Sequence, residues 1–188
     1  MMPKQDMHRG TESMNATSAE RARPEGVSGQ YLTFELAGEQ YGMDILRVQE
    51  IRGWSTVTPI PNTPDCVQGV LNLRGTVVPI IDLRRRLGMP RVEYGPTTVI
   101  VVSNVISDGR ERLVGLVVDA VSDVCDVSAE DARPTPDFGT SVDVRYMHGM
   151  AAIGNRMVVL LDIDRLMDDV GRMIGEVATQ SKTGAKVD

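Results

Sequence analysis

Two blocks of this sequence occur twice. GMDILRVQEI, from Gly42, aligns with GLVVDAVSDV, from Gly115: glycine matches glycine, Ile45 matches Val118, Val48 matches Val121 and Glu50 matches Asp123. Pro61 and Pro134 each lie 19 residues beyond the leading glycine. GVLNLRGTVVPIID, from Gly69, aligns likewise with GMAAIGNRMVVLLD, from Gly149, with apolar positions agreeing between the first glycine and the last aspartate. Gly75 and Asn155 fall in register at the turn, and both residue types tolerate positive φ. Units of about 70 to 80 residues bury little surface alone, so the repeat predicts two strand-rich halves closing over one interior.

The residues available for packing favour strands. Aromatics make up 4% of the chain against 41% apolar residues in all, so Val, Ile, Leu and 11 methionines must fill the core. β-Branched residues sit well on a pleated surface. Leu32, Phe34 and Leu36 alternate with Thr33 and Glu35, the period of a half-buried strand, and Gly38 and Glu39 turn it into a second strand from Tyr41 to Ile45. Val48 and Ile51 continue an apolar face, and Pro59, Pro61 and Pro64 then enforce a loop. Val70 to Leu73 and Thr76 to Ile81 form a hairpin across Arg74-Gly75, and Asp82 caps a short helix, DLRRRLG. TTVIVVS and RLVGLVVDAV form a further hairpin around a polar loop at Asp108-Gly109, and Tyr146 to Ile153 pairs with Met157 to Leu161.

Asp162 or Asp164 caps a final helix, whose Ile163, Leu166, Met167, Val170, Ile174 and Val177 recur at helical spacing as a packing face. Residues 1–28 are rich in Ser, Thr, Gly and charge without an apolar period, and read as a disordered tail. The folded unit is expected over 29–178, with a flexible tail at 179–188.

Composition removes several functions. A net charge of −6 and a pI near 5.0 oppose a phosphate-tracking surface, so no nucleic-acid partner is expected. An OB-like binding module would want exposed aromatics and a basic groove, and four Tyr, two Phe and one Trp supply little. With only His8 and His148, a metal cluster or imidazole base has few candidates, and no cofactor is expected. Cys66 and Cys125 stand alone, without CxxC or a neighbouring histidine, and read as small apolar residues in a reducing compartment. No secretion signal or membrane-spanning run is read, which points to the cytoplasm without membrane insertion.

No phosphate-cradling glycine loop is present. Asp44, Glu50, Asp82, Asp119 and Asp123 could supply the paired acids of a hydrolase, but serve equally as strand-end charges and caps. Arg84-Arg85-Arg86 reads as a solvated helix face or a contact for an acidic partner. Trp54 is a core lid or an interface anchor. Arg74, a lone charge between two strands, is open to three readings: catalytic group, phosphate clamp or contact with another protein.

YGMDILRVQEIRGW, TPIPNTPDCVQG, NLRGTVVPIIDLR, GLVVDAVSDV and ARPTPDF, in this order, resemble the CheW family of bacterial chemotaxis coupling proteins over residues 30 to about 170. The resemblance implies an all-β fold of two SH3-like five-stranded β-barrels sharing a hydrophobic core, with short helices and a C-terminal helix. It implies a non-catalytic adaptor between the cytoplasmic tip of methyl-accepting chemotaxis receptors and the regulatory domain of the histidine kinase CheA, in the cytoplasm and recruited to membrane-associated receptor arrays. A CheW-like adaptor of another chemosensory pathway, serving motility or second-messenger control, fits the same motifs. Carried onto this chain, the receptor-facing groove would involve Ile45, Val48 and Glu50 with Arg74 close by, and Gly115 would matter on the kinase side. Arg74 would then donate to a receptor group, or order the groove through an internal pair with Glu50. The chain departs from the shorter family pattern in its N-terminal tail and in SNVISDGRER, read as a loop with extra residues.

Overall fold

The computed structural model describes residues 27–107, 109–133, 142–168 and 170. The first half contains β1 (Gly29–Leu36), β2 (Glu39–Asp44), a 3-10 turn (Ile45–Arg47), β3 (Val48–Gly53), β4 (Val67–Leu73), β5 (Thr76–Asp82) and helix α1 (Leu83–Arg86). The second contains β6 (Val99–Ser107), β7 (Arg110–Val118), β8 (Ala120–Val127), β9 (Ala132–Arg133), a 3-10 turn (Val144–Tyr146), β10 (Met147–Ile153), β11 (Arg156–Leu161) and a helix over 163–168.

The strands form two sheets of matching order. One runs β8-β1-β2-β11-β10-β9 and the other β3-β6-β7-β5-β4. Placing β1 on β6, β2 on β7, β11 on β5 and β10 on β4 superimposes the two orders, and then β8 must correspond to β3. Each half is therefore divided between the sheets: β1 and β2 lie with β8 to β11, β3 to β5 lie with β6 and β7, and the chain crosses over between β2 and β3, where β3 pairs with β6, and between β7 and β8, where β8 pairs with β1. After each crossover the chain stays in its new sheet and closes that barrel. Thr58 and Val70 exchange backbone hydrogen bonds beyond β3, and β9 pairs with β10 beyond β8. These are the two five-stranded SH3-like barrels, intertwined, with β9 as a two-residue addition.

The leading glycines of the first repeat acquire a reason here. In both barrels a parallel pair joins the halves of the repeat, Gly42 opposite Leu160 and Gly115 opposite Ile80. A Cβ on Gly42 would lie 2.9 Å from Leu160 Cδ2, and one on Gly115 would overlap Ile80 Cδ1 and lie 2.8 Å from Ile100 Cγ2. Bulky side chains cross these glycines in the barrel interiors.

Long apolar runs follow from burial on both faces. Val78 and Ile80 of β5 point into their own barrel with Ile100, Val102 and Val117. Ile81 and Leu83 turn to the interior shared with Phe34, Tyr41, Met43, Leu116 and Leu166. Tyr31, Val127, Ala151, Val158 and Leu160 fill the second barrel. A strand covered on both sides reads as a continuous apolar stretch.

Several local expectations hold. Asp82 accepts from Arg85 N at 3.2 Å to cap α1, and Asp162 accepts from Arg165 N at 3.0 Å to cap the last helix. The first turn is displaced by one residue: Ala37 and Gly38 take the positive φ angles, 55° and 82°, and Glu39 already belongs to β2. In the later hairpin the left-handed residue is Gly154 (φ 57°), not its neighbour Asn155.

The stretch read as a loop, Ser103 to Arg112, is instead a lengthened β6–β7 hairpin. Its register runs on through Asn104↔Leu113, Val105↔Arg112 and Ile106↔Glu111 to Ser107↔Arg110. Alternation of Val105 and Ser107, both buried, with Asn104 and Ile106 carries the strand through a polar composition. Val27, assigned to the tail, is 2% exposed and packs in the second barrel. Residues 1–26, the loop prolines Pro134 and Pro136, Ile174, Val177 and the 179–188 tail lie outside the described residues.

Candidate partner-binding site

The crossover from β2 to β3 is where the chain leaves one sheet for the other. Asp44 starts it by accepting from Leu46 N at 2.9 Å, which bends the strand into the 3-10 turn. Ile45 opens the turn and Val48 follows it, both half-buried against the shared core, so they sit at the seam between the barrels. Arg47 reaches Asp164 of the last helix at 2.7 Å, and Asp164 also accepts from Ile106 N at 2.7 Å. Asp44, Ile45, Arg47, His148, Asp162 and Asp164 border a groove of about 400 Å³ at this seam.

Glu50 lies farther along β3 and faces Arg74 at the tip of the β4–β5 hairpin, with an N···O distance of 3.4 Å. β3 and β4 are opposite edges of their sheet, so the pair spans the opening at which that barrel closes. Arg74 is 91% exposed, and an exposed pair of this length contributes little to stability. Its backbone is unusual: φ is 52°, in the left-handed region, which disfavours a side chain with a Cβ. The turn is held by Asn72, whose Oδ1 accepts from Gly75 N at 2.8 Å.

The repeat supplies an internal control. The position matching Arg74 is Gly154, at φ 57°, the residue type that conformation prefers. The position matching Leu46, which is 83% exposed, is Asp119, held by Arg84 and by Ala37 N. Half-buried Ile45 matches Val118, which is 1% exposed. Both crossovers carry an ion pair, but Asp119 is tied down at the second, whereas Leu46 is left exposed and Ile45 half-buried at the first. Leu46 escaped sequence reasoning because the 3-10 turn interrupts the strand period on which that reasoning depends.

Other candidates find internal roles. Each arginine of the Arg84–Arg86 run is engaged within the fold, so the run is not a solvated face. Arg84 donates to both Asp119 oxygens, Nε at 2.6 Å, and Arg85 pairs with Asp65 at 2.9 Å. Arg86 lies over the Tyr146 ring at 4.5 Å and donates to Leu166 O at 3.0 Å. Trp54 packs on Tyr94 with ring centroids 4.2 Å apart, a lid on the first barrel's interior. Tyr94 donates to Asp82 at 2.7 Å, and burial followed by that bond pushes its phenol well above the ordinary range. Gly115 is buried in β7, where the close approach it permits is to Ile80 and Ile100.

Both cysteines are free, and burial raises both thiols, with Asp123 and Asp126 adding to the shift at Cys125. Native protein treated with iodoacetamide at neutral pH is expected to gain at most one adduct, slowly, at the part-exposed Cys125. Cys66 should react only after denaturation, with mass spectrometry counting both states; rapid native labelling of Cys66 would contradict its burial.

The intertwined barrels and the open seam define a protein that works by contact, a β-barrel scaffold. A family model for the CheW-like domain matches residues 30–171. Chemotaxis protein CheW of Klebsiella aerogenes is 48% identical over 143 residues, covering 76% of this chain and 84% of that protein. CheW of Rhizobium meliloti is 42% identical over 135 residues, covering 72% and 84%. The crystal structure of the scaffolding protein TtCheW from Thermoanaerobacter tengcongensis superimposes with a TM-score of 0.67 at 30% identity, covering 75% of this chain and 93% of that one. The chain belongs to the CheW family and is a chemotaxis adaptor. Among the described residues, no helix is long and apolar enough to cross a membrane.

Proposed function

We infer that this protein joins the cytoplasmic tip of methyl-accepting chemotaxis receptors to the regulatory domain of CheA, performs no chemistry itself, and acts at membrane-associated receptor arrays. The observation that carries the receptor site is the broken symmetry of the repeat. Ile45, Leu46, Val48, Glu50 and Arg74 offer an apolar strip edged by charge, and where the first half has Ile45, Leu46 and Arg74 the second has buried Val118, paired Asp119 and Gly154. A helical hairpin can place apolar side chains on such a strip while Arg74 and Glu50 set its register.

Arg74 occupies a left-handed turn position that glycine would fill with less strain, so its side chain is retained for a contact outside the fold. On the kinase side, Gly115 acts through the packing of β7 and not by touching the kinase.

The test is receptor-controlled autophosphorylation of the cognate CheA, reconstituted with receptor fragments, with and without this protein. Kinase output should rise and become receptor-sensitive only when it is added. Arg74→Glu and Arg74→Gly should both fold, the glycine variant with a Tm at or above that of the parent, and both should weaken receptor coupling. Normal coupling by folded variants would remove Arg74 from the receptor contact.

A further inference from the structure

The two crossovers are tied by the same kind of ion pair with its charges reversed. Continuing the alignment of Gly69–Asp82 with Gly149–Asp162 by two residues matches Arg84 with Asp164. Each is the second residue of a helix that starts after a capping aspartate, Asp82 or Asp162. Arg84 reaches Asp119 at the second crossover, and Asp164 reaches Arg47 at the first, with an N···O distance of 2.7 Å. The crossover partners are out of step by one residue: Asp119 matches Leu46, whereas Arg47 matches Ala120. With the tie moved to Arg47, the side chain of Leu46 is free to stand 83% exposed.

On the reading of this strip as the receptor site, we propose that Asp164 is a positioning residue for the receptor contact: it holds Arg47, and so keeps the 3-10 turn in the form that displays Leu46. An exposed side chain gains little from packing, so Leu46 goes where its backbone is held. Asp44 shapes the turn by accepting from Leu46 N, and Val48 N–H closes it on Ile45 O, but both bonds lie within the turn. Arg47 ties it to another element. Asp164 is a firm anchor, because Ile163 and Leu166 beside it are buried in the shared core and Asp162 N–H donates to Tyr146 O at 2.9 Å. Its other oxygen accepts from Ile106 N at 2.7 Å, in the lengthened hairpin, where β6 has run beyond its pairing with β3 at Val48↔Ser103. That bond satisfies a strand-edge N–H and fixes the carboxylate's rotation with one oxygen toward Arg47. The hairpin extension thereby acts on the receptor face without touching the receptor.

The test titrates a cytoplasmic fragment of a cognate chemoreceptor, and separately the CheA regulatory domain, into the full chain carrying Asp164→Asn, Arg47→Gln or both. Asparagine has one acceptor oxygen for the two donors, Arg47 and Ile106 N–H, so one bond must break. Each single variant should weaken receptor binding several-fold and leave CheA binding unchanged. The double variant should bind no more weakly than the singles, because the two residues act as one unit. Amide hydrogen exchange, read with neither partner present, should quicken at Leu46 and Val48 in Asp164→Asn and stay as in the parent at Leu116 and Leu160. Losses that add in the double variant would overturn the proposal, as would equal losses of receptor and CheA binding, which would make the pair a matter of stability alone. Leu46→Asp separates the two readings. If it weakens receptor binding while Asp164→Asn binds normally, the positioning role falls and the receptor site stands; if Leu46→Asp itself binds normally, the strip is not the receptor site and the positioning role falls with it.

Discussion

Gly115→Ala is expected to destabilise the protein by about 1–3 kcal/mol, the usual cost of overpacking, and Gly115→Asp to prevent folding. The new Cβ would overlap Ile80 Cδ1 and lie 2.8 Å from Ile100 Cγ2. Ile80 can turn its terminal methyl aside, but Ile100 is β-branched and 0% exposed, so strand β6 must shift. An aspartate would add a charge among Ile80, Ile100 and Val117, where no described cation faces it. The pseudo-equivalent Gly42→Ala is the control. Its nearest obstacle is the flexible end of Leu160 at 2.9 Å, so its cost should be smaller. Urea melts of the two alanine variants decide the matter. Equal costs would show that β7 yields as easily as β2, and that the close parallel pairing does not govern stability there.

Asp119→Ala is expected to cost about 3 kcal/mol, at the lower end for breaking a buried ion pair because both partners keep some exposure. Asp119 is the single residue between β7 and β8, where the chain passes from one sheet to the other. Its carboxylate receives Nε and a second nitrogen of Arg84 and, at 2.8 Å, the N–H of Ala37, the left-handed residue of the β1–β2 turn. Its own N–H donates to Glu35 O at 3.1 Å. The carboxylate's hydrogen bonds raise the pKa of Arg84, and a guanidinium is charged at neutral pH even without them, so Arg84 stays a cation when Asp119 is removed. The Arg84 side chain is 15% exposed, so the variant keeps a poorly hydrated cation. Adding Arg84→Met should recover part of the loss, and a strictly additive double mutant would show that the two groups do not act together.

The proposed receptor site was legible as residues and only partly as a surface. Glu50 and Arg74 were expected to be close, and they meet across the barrel's opening. Ile45 and Val48 were expected on the same strip, and they open and follow the 3-10 turn at the seam. Leu46 was missed, and Gly115 is an interior residue of β7. Exposure is the reason for both. The apolar pattern of a strand shows that a residue alternates, but not which of its two faces remains uncovered after a second sheet packs down. The arginines of α1 illustrate the same limit, since Asp119 and Tyr146, their partners, are distant in sequence.

The sequence by itself determined the duplication, the hairpins at Arg74-Gly75 and Gly154-Asn155, the helix cap Asp82, a cap at Asp162 or Asp164, and the apolar residues of a shared core. These features are local: alternation, turn chemistry and capping act over a few residues and need no distant partner. Only the tertiary structure decided that each half divides between the two sheets, that the stretch after Ser103 is strand, and that Asp119 is tied down at one crossover while Leu46 is exposed at the other. Those outcomes depend on pairing between segments far apart in the chain. A strand's own pattern is satisfied by either sheet, and the choice falls to the arrangement that buries both faces of both halves at once.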